Sequence, residues 1–295
     1  MNTAKCFLLF LGDHSPNHMA AIKDVLHAGV VGFKFIPLNN NFQLFLNQVI
    51  TELDNLRQNN IEPIIMKGFN IHTEDYIRAI IKYYKRDHVE SFLLTHCAVF
   101  DSFILSDAAL LTNYTSTTLT SVIDNAVNLK EKLSGALFPK ITDKTNKVAL
   151  LNAGGSTNLN TASENWKNIC KTLETYYSKL IKNYSSIVLE IDQLDSCLDS
   201  TIRTQKNNNI AVPFLSLPAI IIPSSINEGN SIWKALTVVG KQSLAGIVTG
   251  IPMYIGLTSR TDSTETIKKT LTCLIDMFLR KKEKEKYKDV NEENK

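Results

Sequence analysis

A serine and an arginine directly follow a short apolar segment in the last fifth of the chain. The pattern at residues 254–257 predicts a strand, and Ser259 and Arg260 come just beyond it. Asp262 and Glu265 then form a capping pattern that predicts a helix start. In open α/β sheets ligands bind beyond the carboxyl ends of strands, and a hydroxyl, a guanidinium and a helix start suit an anion. The alternative is a solvated arginine beside an ordinary helix cap.

A second anion site is predicted upstream. Residues 219–222 are apolar and predict a buried strand that ends at Pro223. Gly229 and Asn230 are expected to open a helix, with Lys234 one turn inside it, and the free N–H groups of such a helix start attract anions. A common Gly-Asn turn with no ligand is the alternative. The inward-facing residues of this helix are expected to be Ile232, Ala235, Leu236 and Val239.

A similar arrangement occurs in the first third of the chain. Residues 61–66 predict a strand that leaves through Lys67, and a capped helix that contains Arg78 follows. On sequence grounds alone Arg78 also fits an ordinary surface residue. His96 and Asp107, in the two strands predicted next, are interpreted as hydrogen-bonded structural residues.

Strand-like and helix-like segments alternate along the chain, which predicts an α/β fold with parallel sheets covered on both faces. A polar stretch with Ser134, Gly135 and Pro139 predicts a domain boundary, after which a new strand begins. That strand leads into a glycine-containing loop at residues 152–157. Because the loop lacks a G-x-G-x-x-G pattern, a nicotinamide cofactor is disfavoured.

Composition limits the partners of this 295-residue chain. It has 32 basic and 29 acidic residues, a net charge of +3, and no basic stripe with interleaved aromatics, so nucleic acid is an unexpected partner. Five scattered cysteines without C-x-x-C spacing indicate neither a disulfide framework nor a zinc site and favour a reducing cytoplasm. No apolar run has the length of a signal segment or a membrane span, so a soluble protein is expected.

Several strings in one order carry a family resemblance. INEGNSIWKAL at residues 226–236, AGIVTGIP at 245–252 and LTSRTDS at 257–263 closely resemble the signature of phosphate acetyltransferases and phosphate butyryltransferases, nearer to the butyryl branch. The Met-Lys-Gly string at residues 66–68, with the threonine and the arginine that follow it, also matches. The resemblance covers residues 60–280 and, more weakly, the first 60.

The resemblance implies an architecture and an oligomeric state. It implies two α/β domains of the isocitrate- or isopropylmalate-dehydrogenase kind with a cleft between them. The first domain is expected at residues 1–138 plus 251–295, built from both chain ends, and the second at residues 139–250. Members of this family are commonly homodimers.

The resemblance also implies a reaction, the reversible transfer of an acetyl or short-chain acyl group between coenzyme A and inorganic phosphate. That reaction requires no metal and no permanently bound cofactor, since coenzyme A is a substrate. Ser259 and Arg260 are expected to bind phosphate and the transition-state oxyanion, and Arg78 to support that charge. Lys67 and the helix start at Gly229 and Asn230 are further expected phosphate or coenzyme A ligands, with Lys234 a weaker one.

The acid or base is less well defined. The family aspartate a few residues after the Ser-Arg pair falls on Thr266 by simple spacing. Asp262 is the nearby catalytic candidate, and both Asp262 and Glu265 also fit helix caps. The family's Asp-Gly-Pro string is replaced by Leu-Glu-Ile at residues 189–191, which puts the acyl or coenzyme A contacts there in doubt.

Two other functions stay open. A non-catalytic coenzyme A- or phosphate-binding relative would keep the fold while altered loops abolish turnover. A dehydrogenase of the same fold would need a cluster of metal-binding carboxylates, which the sequence lacks. The acyl chain length is not determined. Acetyl, propionyl and butyryl groups differ only in their number of methylene groups, and each methylene contributes only about 1 kcal/mol of binding in an apolar pocket.

Overall fold

The structure is a computed structural model that describes residues 5–26, 30–111, 114–144, 146–152, 164–180, 187–206 and 217–293. Strands and helices alternate through most of these residues. The strands are β1 (Cys6–Leu11), β2 (Val30–Ile36), β3 (Glu62–Lys67), β4 (Thr95–Val99), β5 (Ile104–Ser106), β6 (Asn146–Leu151), β7 (Ile187–Asp192), β8 (Ile220–Ile222), β9 (Ala245–Thr249) and β10 (Tyr254–Gly256). The helices are α1 (Pro16–Val25), α2 (Phe42–Gln58), α3 (Thr73–Tyr84), α4 (Ser116–Lys132), α5 (Pro139–Thr142), α6 (Glu164–Leu180), α7 (Leu194–Leu198), α8 (Ser200–Lys206), α9 (Ile226–Lys234) and α10 (Thr264–Glu293). The predicted α/β class is confirmed.

The chain divides into two compact units, and the first consists of Met1–Phe92 and Ser243–Lys295. Its strands lie in the order β2, β1, β3, β10, β9. The first four are parallel, and β9 is antiparallel to β10. Strand β1, which lies between β2 and β3, is apolar on both faces and almost wholly buried, as expected for a parallel strand covered on both sides. The helix α10 packs on α1, β9 and β10.

A buried tyrosine fixes α3 to this sheet. Tyr76 is fully buried, and its hydroxyl lies 3.1 Å from the carbonyl oxygen of Ile65 and 2.8 Å from that of Gly256. Burial raises the pKa of Tyr76, so its hydroxyl keeps its proton. The hydroxyl therefore bridges β3 and β10 near the ends from which the predicted site residues leave.

The second unit is the continuous segment Leu93–Gln242. Its strands lie in the order β4, β5, β8, β6, β7. Strands β5, β8, β6 and β7 are parallel to one another, and β4 is antiparallel to β5. A reciprocal capping box between Thr115 and Thr118 starts α4, which packs against β5 and α6.

This division differs from the predicted domain ranges of 1–138 plus 251–295 and 139–250. Residues 93–138 lie in the second unit because β5 pairs with β8 and α4 packs on α6 and β8. Residues 243–250 lie in the first unit because β9 pairs with β10. The turn signals at Ser134, Gly135 and Pro139 mark the passage from α4 into the short helix α5.

Two global features bear on the environment of the protein. The side chains of Cys6, Cys97, Cys170, Cys197 and Cys273 are buried, and none of these five cysteines forms a disulfide. Within the described part of the chain, no helix combines the length and the apolar character that crossing a bilayer requires.

Candidate functional site

The carboxyl ends of β1 and β3, neighbours in the first unit, are joined by close loop contacts. The Gly68 N–H donates to the Leu11 carbonyl at 2.7 Å, and the Phe69 N–H donates to the Asp13 carbonyl at 2.8 Å. A Cβ at Gly68 would lie 2.7 Å from the carbonyl carbon of Gly12, a distance that real Cβ atoms essentially never show. Gly68 therefore permits this backbone approach, and the loop after Lys67 is fixed against the loop after β1.

The loop after β10 is held as a tight turn by Asp262. The Ser259 N–H donates to the Asp262 carboxylate at 2.7 Å, and the Asp262 N–H donates back to the Ser259 carbonyl at 3.1 Å. Only 5% of Asp262 is exposed, and the Asn17 side chain donates to its carbonyl at 3.3 Å. The carboxylate predicted as a catalytic candidate thus has a structural contact: it fixes the backbone on which Ser259 and Arg260 stand.

Arg260 lies at the exposed tip of this turn. Its Nη2 is 3.3 Å from Nδ1 of His72, the residue just before α3. No carboxylate of the described residues pairs with Arg260, although surface arginines elsewhere in the unit, such as Arg57 and Arg86, are paired with aspartates. The Ser259 hydroxyl, 3.2 Å from that of Thr261, is also at the surface. A guanidinium and a hydroxyl are therefore presented together beyond the end of β10, as the sequence predicts.

Lys67 lies beneath this turn and is almost fully buried, with 4% of its surface exposed. Its ammonium donates to the Gly68 carbonyl at 3.4 Å, and its own carbonyl accepts from the Thr258 hydroxyl at 3.4 Å. Nε2 of His18 is also 3.4 Å from that carbonyl. Lys67 thus supplies a buried positive charge and links the loops after β3 and β10.

His18 is a residue that the sequence reasoning missed. It is 3% exposed, and its Nδ1 lies 2.7 Å from the hydroxyl of Ser15, the residue that caps α1. The pKa of His18 is lowered to about 4, mainly by burial; a hydrogen bond to the Lys67 carbonyl opposes this shift, and the charge of Lys67 adds to it. The ring is neutral at pH 7. The signal that could have found it is a Ser-x-x-His cap directly after an apolar strand.

Arg78 contacts its own helix. Its Nη2 is 2.6 Å from Glu74 Oε1, its Nη1 is 3.6 Å from Asp75 Oδ1, and its guanidinium lies 5.3 Å from the centre of the Phe42 ring. None of these contacts joins Arg78 to Ser259 or Arg260. Its predicted support of a bound phosphate stays a prediction, and its positive charge is already balanced by two carboxylates.

In the second unit, the prediction that Gly229 and Asn230 open a helix is wrong. The helix α9 begins three residues earlier, at Ile226, and Ser225 caps it by accepting from the Glu228 N–H at 3.3 Å. The Glu228 carboxylate accepts from the Ser224 N–H at 2.6 Å. Side chains of the protein therefore satisfy groups at this helix start that the prediction assigned to a ligand.

Gly229 and Asn230 instead lie inside α9. A Cβ at Gly229 would be 2.8 Å from the Asp107 carbonyl oxygen and 2.8 Å from Cγ of Pro223, so the glycine allows close packing. Asn230 is exposed on the outer side of the helix. The turn chemistry that Gly-Asn normally signals was overridden by the cap at Ser225.

Lys234 is the last residue of α9, and its ammonium lies 4.1 Å from the centre of the Trp233 ring. A π-helical turn, Ala235–Val239, follows. The prediction that Ala235 and Val239 face inward is wrong: Ala235 is exposed, and Val239 has 81% of its surface exposed. The wider turn rotates these residues away from the direction that a regular helix gives them.

Asp107 and His96 are buried, in line with their structural interpretation. The Asp107 carboxylate accepts from the N–H groups of Ala109, Leu110 and Leu111 at 2.9, 3.1 and 3.1 Å. Burial raises the pKa of Asp107 to about 6, although these hydrogen bonds lower it. His96 packs with its ring centroid 4.8 Å from that of Trp233.

The Leu-Glu-Ile departure has a structural counterpart on β7. Glu190 pairs with Lys147 at 2.9 Å and with Arg203 at 2.5 Å, and Arg203 also pairs with Asp192 at 2.9 Å. Lys147 and Arg203 are 2% and 3% exposed, so the two carboxylates neutralise two buried cations. Residues 153–157 of the glycine-containing loop lie outside the described residues.

The arrangement in the first unit suits an anionic ligand better than a metal ion. Arg260, Ser259 and Lys67 supply two cations and a hydroxyl at neighbouring strand ends, and an arginine fork matches two oxygens of a phosphate. Among the described residues, no group of three or more His, Cys, Asp or Glu side chains is placed to hold a metal. Fold and site together define an α/β protein that presents two cations and a hydroxyl at neighbouring strand ends.

Comparisons with known proteins agree with the family resemblance. No family model matches the chain. A phosphate acetyltransferase of Rickettsia typhi is 25% identical over 224 residues, which are 73% of this chain and 58% of that protein. The chain thus spans little more than half the length of this curated relative. The resemblance to phosphate acetyltransferases predicted from the sequence motifs is confirmed.

Solved structures with the same fold include a phosphotransacylase and a dehydrogenase. A branched-chain phosphotransacylase from Enterococcus faecalis V583 aligns with a TM-score of 0.71 and 18% identity, covering 92% of this chain and 99% of that one. A 4-hydroxythreonine-4-phosphate dehydrogenase from Klebsiella pneumoniae aligns with a TM-score of 0.55 and 8% identity, covering 93% and 100%. The fold is therefore shared by phosphotransacylases and by a dehydrogenase.

Proposed function

We propose that this protein is an acyltransferase that moves an acetyl or short-chain acyl group between coenzyme A and inorganic phosphate. The observation that carries the proposal is the exposed Ser259–Arg260 turn beside buried Lys67 at the strand ends of the first unit. The sequence similarity to a phosphate acetyltransferase supports it. The phosphotransacylase among the structures with the same fold is consistent with it.

The residues of the turn have distinct roles in this proposal. Arg260 binds two oxygens of the phosphate, and the Ser259 hydroxyl donates to a third oxygen or to the oxyanion that forms on the thioester carbonyl. Lys67 contributes a positive charge from a buried position, where solvent screens it little. Arg78, Gly229, Asn230 and Lys234 remain proposed ligands of the phosphate or of coenzyme A, with Arg78 the first to test.

The reaction balances without a dedicated protein acid. A phosphate oxygen attacks the carbonyl carbon of the thioester, the C–O bond forms, and the C–S bond breaks. Hydrogen phosphate loses its proton overall, and the leaving thiolate of coenzyme A gains one. The site must therefore hold the two reactants together and stabilise the oxyanion between them. Asp262, which accepts the Ser259 N–H, is accordingly proposed to position the turn rather than to transfer a proton.

The proposal also covers the acyl group, the cellular location, the oligomeric state and the partners. A butyryl-sized or branched acyl group is proposed because the motifs are nearer to the butyryl branch, and the solved fold relative acts on branched chains by its name. A cytoplasmic homodimer with no nucleic acid or membrane partner is proposed from the family resemblance, the near-balanced charge and the free thiols. Coenzyme A is a substrate, and no permanently bound cofactor is proposed.

The direct test is the formation of coenzyme A thioesters by the purified protein from acetyl, propionyl and butyryl phosphates. Thioester formation at rates above those of a boiled sample is expected, and the kcat/KM ratios give the chain-length preference. An exchange assay with labelled phosphate checks the reverse direction. No turnover with any donor, in a folded protein, contradicts the proposal.

A second function is favoured by one observation. The ion-paired Glu190 on β7 stands where relatives carry the Asp-Gly-Pro string, so the local contacts to the acyl group or coenzyme A are altered. A non-catalytic relative that binds coenzyme A or phosphate would retain micromolar coenzyme A binding in calorimetry while every donor fails to react. That combination of results would select it over the acyltransferase.

A further inference from the structure

A cavity of about 700 Å³ lies in the first unit, away from the Ser259–Arg260 turn. It lies at the amino-terminal ends of β1, β3 and β10 and near the carboxyl-terminal ends of α2 and α3. The Ser259–Arg260 turn is at the other, carboxyl-terminal ends of these strands. Its volume is within the range of roughly 300–1,000 Å³ found for sites that hold small organic molecules. The proposed acyl transfer uses none of its residues, so a ligand here would be additional to the substrates.

One wall of the cavity is aromatic. Tyr83 and Tyr84, from the last turn of α3, line it, and His88 stacks on Tyr84 with ring centroids 4.1 Å apart and an 18° angle between the rings. Leu53 and Met253 add apolar surface. Flat aromatic surfaces of this kind favour a planar ring, which they contact over a large area at little entropic cost.

The cavity is lined by more positively than negatively charged side chains. Its carboxylates are already paired, Asp87 with Arg57 and Glu62 with Lys282 at 3.3 Å. Lys5 also lines the cavity and forms no ion pair with the described residues. The lining therefore carries an excess of positive charge on the side where β1 and β3 begin, which attracts an anionic group.

The backbone determines which end of the ligand lies where. The C-terminal end of α3 lies at the cavity, where Tyr83 and Tyr84 line it, and the negative end of a helix dipole disfavours an anion. An anion is therefore better placed beside Lys5, and a ring beside Tyr83 and Tyr84. We propose that this cavity binds a planar heteroaromatic ligand with an anionic group, of the class of a nucleoside monophosphate, in that orientation.

Calorimetric titration with AMP tests the proposal, with adenosine and inorganic phosphate as probes of the ring and the anion alone. AMP is expected to bind at least tenfold more tightly than either part, since both ends of the cavity are engaged. Tyr84→Ala and Lys5→Ala are each expected to weaken AMP binding about tenfold. Lys171→Ala, at an exposed position on α6, is the matched control and is expected to leave it unchanged.

Because AMP resembles part of coenzyme A, the experiment must separate this cavity from the proposed active site. Saturating coenzyme A and the Arg260→Ala variant are both expected to leave AMP binding intact. Competition by coenzyme A, or loss of AMP binding in Arg260→Ala, would overturn the proposal, as would no AMP binding at millimolar concentration. Equal affinity for AMP and adenosine would overturn the anionic part. None of these outcomes depends on whether acyl transfer occurs.

Discussion

The turn after β10 in the first unit and the start of α9 in the second unit have the same sequence pattern but different uses of their polar groups. After β10, Asp262 fixes the backbone and leaves Arg260 exposed without a carboxylate partner. At α9, Ser225 and Glu228 satisfy the helix start, and Gly229 packs against the neighbouring loop. A capped helix after a strand is therefore a candidate site only where a cation or a donor is left available.

The largest effect expected from this difference is on catalysis. Arg260→Ala should lower kcat/KM for acyl phosphate by about a hundred- to a thousandfold, because a charged donor to the transition state is lost. Asn230→Ala on α9 removes at most a neutral hydrogen bond to a ligand and should lower it by about tenfold or less. Steady-state assays of both variants make the test, with Arg86→Ala as an exposed arginine control. Equal losses in the Arg260 and Asn230 variants would show that the two regions do not differ as proposed.

The next effect is on the stability of the second unit. Gly229→Ala places a methyl group 2.8 Å from the Asp107 carbonyl oxygen, so overpacking should outweigh the better helix propensity of alanine. A net loss of about 2 kcal/mol in the free energy of unfolding is expected from urea denaturation. At Gly135, a Cβ would meet only the Thr142 hydroxyl at 3.4 Å, so Gly135→Ala serves as the control. A Gly229 variant as stable as the control would mean that α9 is not held by this close approach.

The stability of the protein should depend on pH through the buried His18 in the first unit. Its pKa is about 4 in the folded chain against 6.5 for an ordinary histidine, so between these values the unfolded chain holds a proton that the folded chain lacks. The stabilising contribution is complete above pH 6.5 and is lost as pH falls towards 4, by about 3 kcal/mol. Urea denaturation from pH 4 to 7.5 should show a shallower slope for His18→Gln than for the native chain. His88→Gln, at an exposed histidine, should keep the native slope.

The smallest effect concerns the role of Asp262. In Asp262→Asn the amide oxygen can still accept the Ser259 N–H, so a loss of threefold to tenfold in kcat is expected, about 1 kcal/mol. The pH profile of kcat should keep its shape. Proton transfer by Asp262 would instead give a loss of a hundredfold or more and remove one limb of the profile. Asp262→Ala, which cannot accept the bond, should lose more activity than Asp262→Asn.

The strand ends of the first unit were predictable because short-range patterns determine them. An apolar run that ends at Lys67 or before Ser259 forms a buried strand, and a polar residue just beyond it must lie at the carboxyl end of that strand. The position of Arg260 at an exposed tip followed from the same pattern. The contact between Asp262 and Ser259 also lies within three residues, and capping chemistry at such spacing is readable from sequence.

Other features depend on contacts between residues that are far apart in the chain. Gly229 packs against the carbonyl oxygen of Asp107, some 120 residues earlier in the chain, and no local pattern predicts this contact. The burial of His18 against the Lys67 carbonyl is similarly distant. The predicted domain boundary differs from the division between the two units because a loop with proline and glycine has the same sequence pattern within a unit as between units. The π-helical turn after Lys234 likewise lacks a sequence signal.

The interrupted first unit has a consequence for biosynthesis. Strand β3 needs β10 as its neighbour, yet β10 is translated only after the whole continuous segment of the second unit. During synthesis on the ribosome, the sheet of β1, β2 and β3 therefore has an unpaired edge at β3 until β10 has been made. The second unit, in contrast, can fold as soon as its continuous segment has left the ribosome. The Ser259–Arg260 turn is among the last parts to form, so a truncated or stalled chain would carry a finished second unit without the proposed phosphate site.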